Sequence, residues 1–476
     1  MTALYTQINV YKDQNYRNKL AKETASFQVA FLGTCSGGGP TETRNCSSLV
    51  LDMLQDLELW MVDCAEGTVR QFASQPNIQG ESHLRLNRVS KIFITHMHAD
   101  HIMGVITLLR NLLYRTKVIL YPGQVITKPA VQLFGPAGLR TFVRQNLKYT
   151  LTRAADRYCV HELLTVHDSI TPCDPIPEGS TSFHSAEANI MHNSELPGLD
   201  IRAGPDGLWR ALTEGPGRMS KILVDAGPIL HRDPCIGYVF QEAWYPSRKV
   251  VILGDTHNPE AMIPLCSNPA PSLLVHEATD SHISPTADAE GKLSRRSAEK
   301  VLETALSLGH STPEMAGAFA KRVGAQKLVL NHIGARFPAP RNNLDHDRKR
   351  IIRDITKKAS MAWGPNKAAV AAVDFLRVEV PIDPSLKDTR NQPTTRTEVG
   401  IVNDIEPNPP GEIQGASSLR DYQFYDSEPV EYVNPNAVAS TSTSQAGHIQ
   451  VQDGGRSAFV AYDPSGQNRR KRRRKH

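Results

Sequence analysis

The chain has 476 residues, enough for one large domain or two ordinary ones. Its net charge of +5 is held by the seven basic residues of 469–475; without them 47 Lys and Arg face 49 Asp and Glu, so overall charge does not argue for nucleic-acid binding and any such contact needs a local patch. Seven scattered cysteines without a CxxC pair fit a reducing compartment and argue against a cysteine zinc finger, and no apolar run reaches roughly eighteen residues, the length of a membrane span.

Residues 1–26 read as a polar leader with no apolar core of signal-peptide length, so a soluble, intracellular protein is expected. Residues 27–32 read as a strand running into a Gly-rich loop, 33–39. Strands are expected over 49–52 and 57–63. Residues 89–94 form an apolar run of strand length. Ile102, Val105, Ile106, Leu109, Leu112 and Leu113 then recur at helical spacing over 102–114. Further strands are expected at 131–134, 158–164, 222–224, 237–240, 249–253, 272–275 and 327–330. Helices are expected at 294–308, 313–322 and 348–361, and a strand over 370–380 closes the series. Many strands with few helices between them predict an α/β fold of the αββα sandwich type. Residues 167–220 lack clean periodicity and read as a long insertion in a hydrolase domain spanning 27–381. From 382 to 476 Asn, Pro, Ser, Thr, Gln and Gly dominate, which predicts a disordered tail ending in the basic cluster.

His96-Met97-His98-Ala99-Asp100-His101 packs three imidazoles and a carboxylate between the 89–94 strand and the following helix. Imidazole with carboxylate suits zinc or a similar first-row metal. Ligands on two successive turns make room for two ions, and a paired-metal site can generate hydroxide at neutral pH and clamp a phosphoryl group. More ligands are needed, and later strand ends offer them. Asp255 follows 250–254 and His332 follows 328–331. His231, His192 and His184 compete for the remaining position.

The HxHxDH cluster resembles the metallo-β-lactamase superfamily of hydrolases. Other motifs narrow the resemblance to the tRNase Z (ribonuclease Z, short-form) family. They are Asp63-Cys64-Ala65-Glu66-Gly67-Thr68, the segment from Ala226 through His231 to Gly237-Tyr238, and Gly254-Asp255-Thr256. His276-Glu277-Ala278-Thr279 matches the family's HEAT motif, and Gly309-His310-Ser311-Thr312 its HST loop. Asn331-His332-Ile333-Gly334-Ala335-Arg336 and Val373-Asp374-Phe375 complete the set. The resemblance covers roughly 27–381 and favours His231 over its rivals.

The resemblance implies a metallo-β-lactamase fold and an endonuclease that removes the 3′ trailer from precursor tRNA, leaving a 3′-hydroxyl. It implies one zinc held by His96, His98 and His231, a second held by Asp100, His101 and His332, and Asp255 between them; manganese would also suit these ligands. Asp100 would orient the attacking water. His276 would protonate the leaving oxygen, with Glu277 holding its tautomer. His310 would place the phosphate. Arg44, Asn45, Ser311, Thr312 and Arg336 would contact substrate. A homodimer is implied, acting in nucleus or cytoplasm with no membrane association.

Three departures stand out. Glu42 occupies a position that is commonly basic in the family, where a carboxylate would face RNA phosphate. The family's tRNA-gripping arm, expected between the Gly237-Tyr238 strand and Asp255, has no room, because only 241–249 lies there. The basic tail suggests a substitute RNA contact or a nuclear import signal. The missing arm favours a different phosphodiesterase or arylsulfatase-like hydrolase of the superfamily, which the HEAT and HST motifs oppose. A non-catalytic RNA-binding paralogue is a further alternative, opposed by the complete ligand set.

Overall fold

The structure, a computed structural model, describes residues 26–79, 82–114, 127–180, 187–244 and 247–382. The expected polar leader and the expected disordered tail with its basic cluster therefore lie almost wholly outside the described residues, as does His184.

Two mixed sheets lie face to face. The first runs in the order β18 (Arg377–Val380), β1 (Phe27–Gly33), β3 (Ser48–Asp52), β4 (Leu59–Val62), β5 (Val89–Phe93), β6 (Val131–Pro136), β7 (Tyr158–Leu164), with β8 (Glu195–Leu196) and β9 (Asp200–Arg202) both on β7. The second runs β10 (Trp209–Gly215), β11 (Ile222–Ile229), β12 (Cys235–Glu242), β13 (Lys249–Leu253), β14 (Leu273–Glu277), β15 (Leu328–Asn331), β17 (Val370–Ala371). A short parallel pair, β2 (Cys35–Ser36) with β16 (Ile333–Gly334), ties the Gly-rich loop to the segment after β15. Strands β4 to β7 are mutually parallel, as are β13, β14, β15 and β17.

The strands are apolar on both faces because each face is covered, which is why they read as continuous hydrophobic runs. Phe27, Val29 and Phe31 of β1 point between the sheets, whereas Ala30 and Leu32 point to the outer helices. In the same way Val250 and Ile252 of β13 point inward, and Val251 and Leu253 outward. An aromatic cluster fills the space between the sheets. Phe93 stacks on Phe134 at 5.2 Å and meets Phe240 edge-on at 5.1 Å. The Tyr238 hydroxyl, buried beside them, donates to the Ile94 carbonyl at 2.8 Å. One outer layer holds α1 (Thr68–Ala73), α2 (Ala99–Ile102), α3 (Val105–Leu113) and α4 (Leu139–Tyr149). The other holds α5 (Ile263–Cys266), α6 (Ala298–Ser307), α7 (Pro313–Arg322) and α8 (His346–Trp363). The layers are thus α, β, β, α.

Three sequence expectations are corrected. The helix expected over 102–114 is two helices, α2 and α3, broken at Gly104. A Cβ there would lie 1.9 Å from the Ala65 carbonyl oxygen, so the close approach requires glycine. The strand expected over 370–380 is β17 and β18, which belong to different sheets. The region 167–220, read as a patternless insertion, contributes β8, β9 and β10 to the sheets. Its anchor is a row of buried cations on α4. Arg140 donates to the carbonyls of Val160, Thr171 and Leu199. Arg144 donates to those of Pro172 and Ala188 and grips Glu195 with two bonds of 2.8 and 2.9 Å. Lys148 reaches the carbonyls of Glu187 and Ile190. A buried cation needs such partners, and this region supplies backbone oxygens together with the carboxylates of Glu195 and Asp200.

The β12–β13 connection is closed by a second buried ion pair. Arg248 donates to both carboxylate oxygens of Glu242, at 3.0 and 2.9 Å, and to the Val380 carbonyl, while its guanidinium lies over the Phe27 ring at 3.6 Å. Arg248→Met leaves the Glu242 carboxylate buried without its cation. The expected loss is about 3–5 kcal/mol in urea unfolding, most of which the double variant Glu242→Gln/Arg248→Met restores.

Candidate metal centre

The parallel strands of both sheets open toward one end, and the polar residues gather there, outside the carboxyl ends of the strands. His96, His98, Asp100 and His101 follow β5. His231 follows β11, Asp255 follows β13, and His332 follows β15. Two separate groups form, and a third overlaps both. His96, His98, His231 and Asp255 each present a ligand atom within 4.8 Å of the others, and Asp100, His101 and His332 do the same; Asp255, His310 and His332 make the overlapping set. His96 Nε2 lies 2.8 Å from His98 Nδ1 and 3.6 Å from an Asp255 oxygen. His101 Nε2 lies 3.1 Å from His332 Nε2 and 3.5 Å from the other Asp255 oxygen. His332 Nε2 is 3.3 Å from Asp100 Oδ2. Asp255 therefore touches both groups.

Such a donor set fits metal ions. Imidazole nitrogens at 2.0–2.1 Å from a tetrahedral zinc stand roughly 3.3 Å apart, close to the separations seen here. His231 Nε2 is buried with no hydrogen-bond partner among the described residues, as a nitrogen reserved for a ligand bond would be. The opposite nitrogen of each imidazole is already engaged. His101 Nδ1 is 2.7 Å from Asp63 Oδ2, and His96 Nδ1 is 3.1 Å from the Thr95 hydroxyl, which itself bonds Asp63. His231 Nδ1 donates to the Gly309 carbonyl at 2.7 Å. His332 Nδ1 is 3.0 Å from the Thr279 hydroxyl, which donates to Glu277 at 2.6 Å. These bonds aim the free nitrogens at the two groups. Gly309 is required for its contact: its φ is +76°, and a Cβ would lie 2.6 Å from His231 Nδ1.

Charge favours the ionised carboxylates. Burial pushes the Asp100 carboxyl up, but the His332 hydrogen bond and the charges of His101 and His332 outweigh it and hold the group well below its usual range. The Gly37 N–H adds a bond of 2.6 Å to Asp100 Oδ2.

The ribonuclease Z of Trichodesmium erythraeum (strain IMS101) is 30% identical to this chain over 364 residues, covering 74% of this chain and 95% of its own. The chain belongs to the ribonuclease Z family. Zinc phosphodiesterase ELAC protein 1 of Bos taurus is 28% identical over 410 residues, covering 75% of this chain and 99% of its own. The crystal structure of human tRNase Z, short form, is 26% identical, covers 75% of this chain and 100% of its own, and has a TM-score of 0.49. No family model matches the chain. As a ribonuclease Z the chain is a metal-dependent hydrolase, and its four layers are the metallo-β-lactamase fold.

Several residues carried over from the family resemblance are placed elsewhere than expected. His276 is fully buried on the outward face of β14, with its ring 5.9 Å from Phe319 of α7 and its Nδ1 donating to the Glu277 carbonyl. It faces away from the ligands, so it is not positioned to protonate a leaving group. Glu277, one residue on, faces the centre. Its carboxylate does not hold His276, which meets only the Glu277 backbone carbonyl; it accepts from His310 Nδ1 at 3.0 Å and from the Thr256 N–H at 2.7 Å. Burial lowers the affinity of His310 for a proton, but the Glu277 hydrogen bond and the charges of Glu277 and Asp255 prevail and raise its pKa.

Arg44 is 1% exposed and cannot meet RNA. Its guanidinium donates to Thr34 Oγ1, the Ala372 carbonyl and the Phe337 carbonyl, and burial lowers its pKa to about 10. Asn45 and Ser311 are also buried, with side chains donating to the carbonyls of Glu66 and Thr256. Thr312 is a buried helix N-cap position. Arg336 is the exception, with a side chain 47% exposed and its Nε 3.9 Å from Asp280. His192 is buried against the Thr152 carbonyl and belongs to neither ligand group. The outer partners Asp63, Thr95 and Thr279 were missed as functional residues, although Asp63 and Thr279 lie in motifs the sequence displays. Arg44→Ala is expected to lower stability by about 3 kcal/mol or more, because three buried charge-assisted bonds are lost. A substrate contact would instead raise KM with unfolding unchanged, and urea denaturation beside steady-state kinetics separates the two.

Proposed function

We propose that this chain is a zinc-dependent endoribonuclease that removes the 3′ trailer from precursor tRNA, with two zinc ions per subunit and a homodimeric state. The observation that carries the reading is the meeting of two ligand groups at Asp255, beside a His310–Glu277 pair. One ion would be held by His96, His98 and His231, the other by Asp100, His101 and His332, with Asp255 shared. Zinc or manganese bound there supplies Lewis acidity and lowers the pKa of water enough to give a nucleophile at neutral pH.

The chain's own residues do the rest. Asp100 stays ionised and, held by the Gly37 N–H and His332, orients the attacking water. His310 donates Nδ1–H to Glu277, which fixes the ring and stabilises its protonated form. Its Nε2 is then the nitrogen that hands a proton to the leaving ribose oxygen. This role passes to His310 from His276. Thr279 links Glu277 to His332, so the acid and the second ligand group share one hydrogen-bonded frame. Arg336, exposed beside the HEAT segment, contacts the RNA.

The test is cleavage of a 5′-labelled precursor tRNA with a 3′ trailer. The expected product ends at the discriminator base, disappears with chelator, returns with zinc, and is absent for Asp100→Ala. Hydrolysis of bis(p-nitrophenyl) phosphate without cleavage of the precursor would instead select the alternative phosphodiesterase reading. In the same assay His310→Ala and Glu277→Gln are expected to lower kcat by roughly 10²–10⁴-fold, the range for loss of a general acid. His276→Leu should keep kcat within about threefold, since its ring never reaches the reacting atoms; a kcat loss equal to that of His310→Ala would return the acid role to His276.

A further inference from the structure

Of the five ligand imidazoles, four have their outer nitrogen fixed by a buried or partly buried group of the motifs or the backbone: Asp63, Thr95, Thr279 and the Gly309 carbonyl. His98 differs. Its Nδ1 faces His96 Nε2 at 2.8 Å, and its Nε2 lies 2.8 Å from Asp233 Oδ2. The side chains are 22% and 56% exposed, so this contact sits at the solvent-facing rim of the centre. Asp233 lies two residues after His231, in the turn between β11 and β12, where Arg232 Nε is 3.5 Å from the same carboxylate oxygen. That turn therefore supplies two things at once: the ligand His231 and a carboxylate that grips a ligand from β5 in the other sheet.

We infer that Asp233 is a positioning residue, accepting the Nε2–H of His98 so that His98 Nδ1 faces the first metal group. The inference rests on the two-metal reading above. An imidazole carries its proton on one nitrogen or the other when neutral, and an acceptor at Nε2 selects the tautomer whose Nδ1 lone pair is free. Without it the exposed ring is free to rotate and to present the wrong nitrogen. The second group, Asp100, His101 and His332, has no contact with Asp233 among the described residues, so the effect is confined to one ion.

The experiment is zinc competition against a chromogenic chelator on the full chain, for wild type, Asp233→Ala and Asp233→Asn. The expected result for Asp233→Ala is one of two zinc ions weakened roughly tenfold, the lower end of the range for outer partners because this one is exposed. The second zinc should keep its affinity, and the melting temperature of the metal-free protein should match wild type. Asp233→Asn retains an accepting oxygen and should stay within about threefold of wild type. Wild-type affinity for both ions in Asp233→Ala overturns the inference, as does equal weakening of both ions or an Asn variant as impaired as Ala. A wild-type chain that binds no zinc overturns the metal reading itself, a result distinct from any of these.

Discussion

Asp255 sits almost wholly out of water, with its oxygens 3.3–3.6 Å from nitrogens of His332, His101 and His96. A carboxylate in that position costs several kcal/mol unless charge and hydrogen bonds compensate it. Burial pushes its pKa up, but the charges of His332, His101 and His96 prevail and hold it well below the usual range. The compensation works only if both sheets come together at this point. The approach is close: a Cβ on Gly254 would lie 2.7 Å from Thr95 Cβ and 2.6 Å from Cys235 Sγ. The exit of β5 in one sheet is thus pressed against the exit of β13 in the other, and the aromatic packing between the sheets sets that spacing.

The same constraint bears on two strained residues at the centre. Asp63 and His332 are non-glycine residues with φ of 58° and 51°. Such conformations cost of order 1–3 kcal/mol and persist when the surroundings over-determine them. Asp63 holds the Thr95 N–H, the Thr95 hydroxyl and His101. His332 is held through both Thr279 contacts, side chain to ring and side chain to carbonyl. Of these two, one orients a ligand and the other is a ligand, and each is fastened by several bonds rather than one.

Local patterns in the sequence were sufficient for most strands and for the HxHxDH cluster, since alternation and strand-to-helix spacing are encoded within a few residues. Strand ends also pointed to Asp255 and His332, because a polar residue closing an apolar run marks the rim of a sheet. His276 shows where motif resemblance misled and elementary geometry would have helped. It and Glu277 are neighbours on a strand, so they face opposite ways, and Leu273 and Val275 already assign the inward face to the odd positions. Arg44 was misread for another reason: a basic residue in a motif suggests phosphate, and only long-range contacts reveal that its partners are backbone carbonyls at 337 and 372. The strands within 195–215 were illegible because the cations that anchor their surroundings lie on α4, some fifty residues earlier in the chain.

Two departures from the family pattern acquire a physical meaning from the structure. Glu42, which would repel RNA if it stood alone, pairs with Arg341 through contacts of 2.6 and 2.7 Å and lies 3.6 Å from Arg348. Its charge is thus offset within the chain. The β12–β13 connection, where the resemblance places an arm, spans only 243–248, and its base is sealed by Glu242, Arg248, Phe27 and Val380. So short a connection has no length for an arm. The proposed hold on RNA then falls to groups near the metal centre itself, with exposed Arg336 and the Gly37–Gly39 loop leaving the paired strands β16 and β2 in the same direction. A ribonuclease Z built this way would draw its binding energy from near the scissile phosphate rather than from a distant part of the tRNA. Interactions that close to the reacting atoms strengthen as charge develops in the transition state, so they act on kcat as well as on binding.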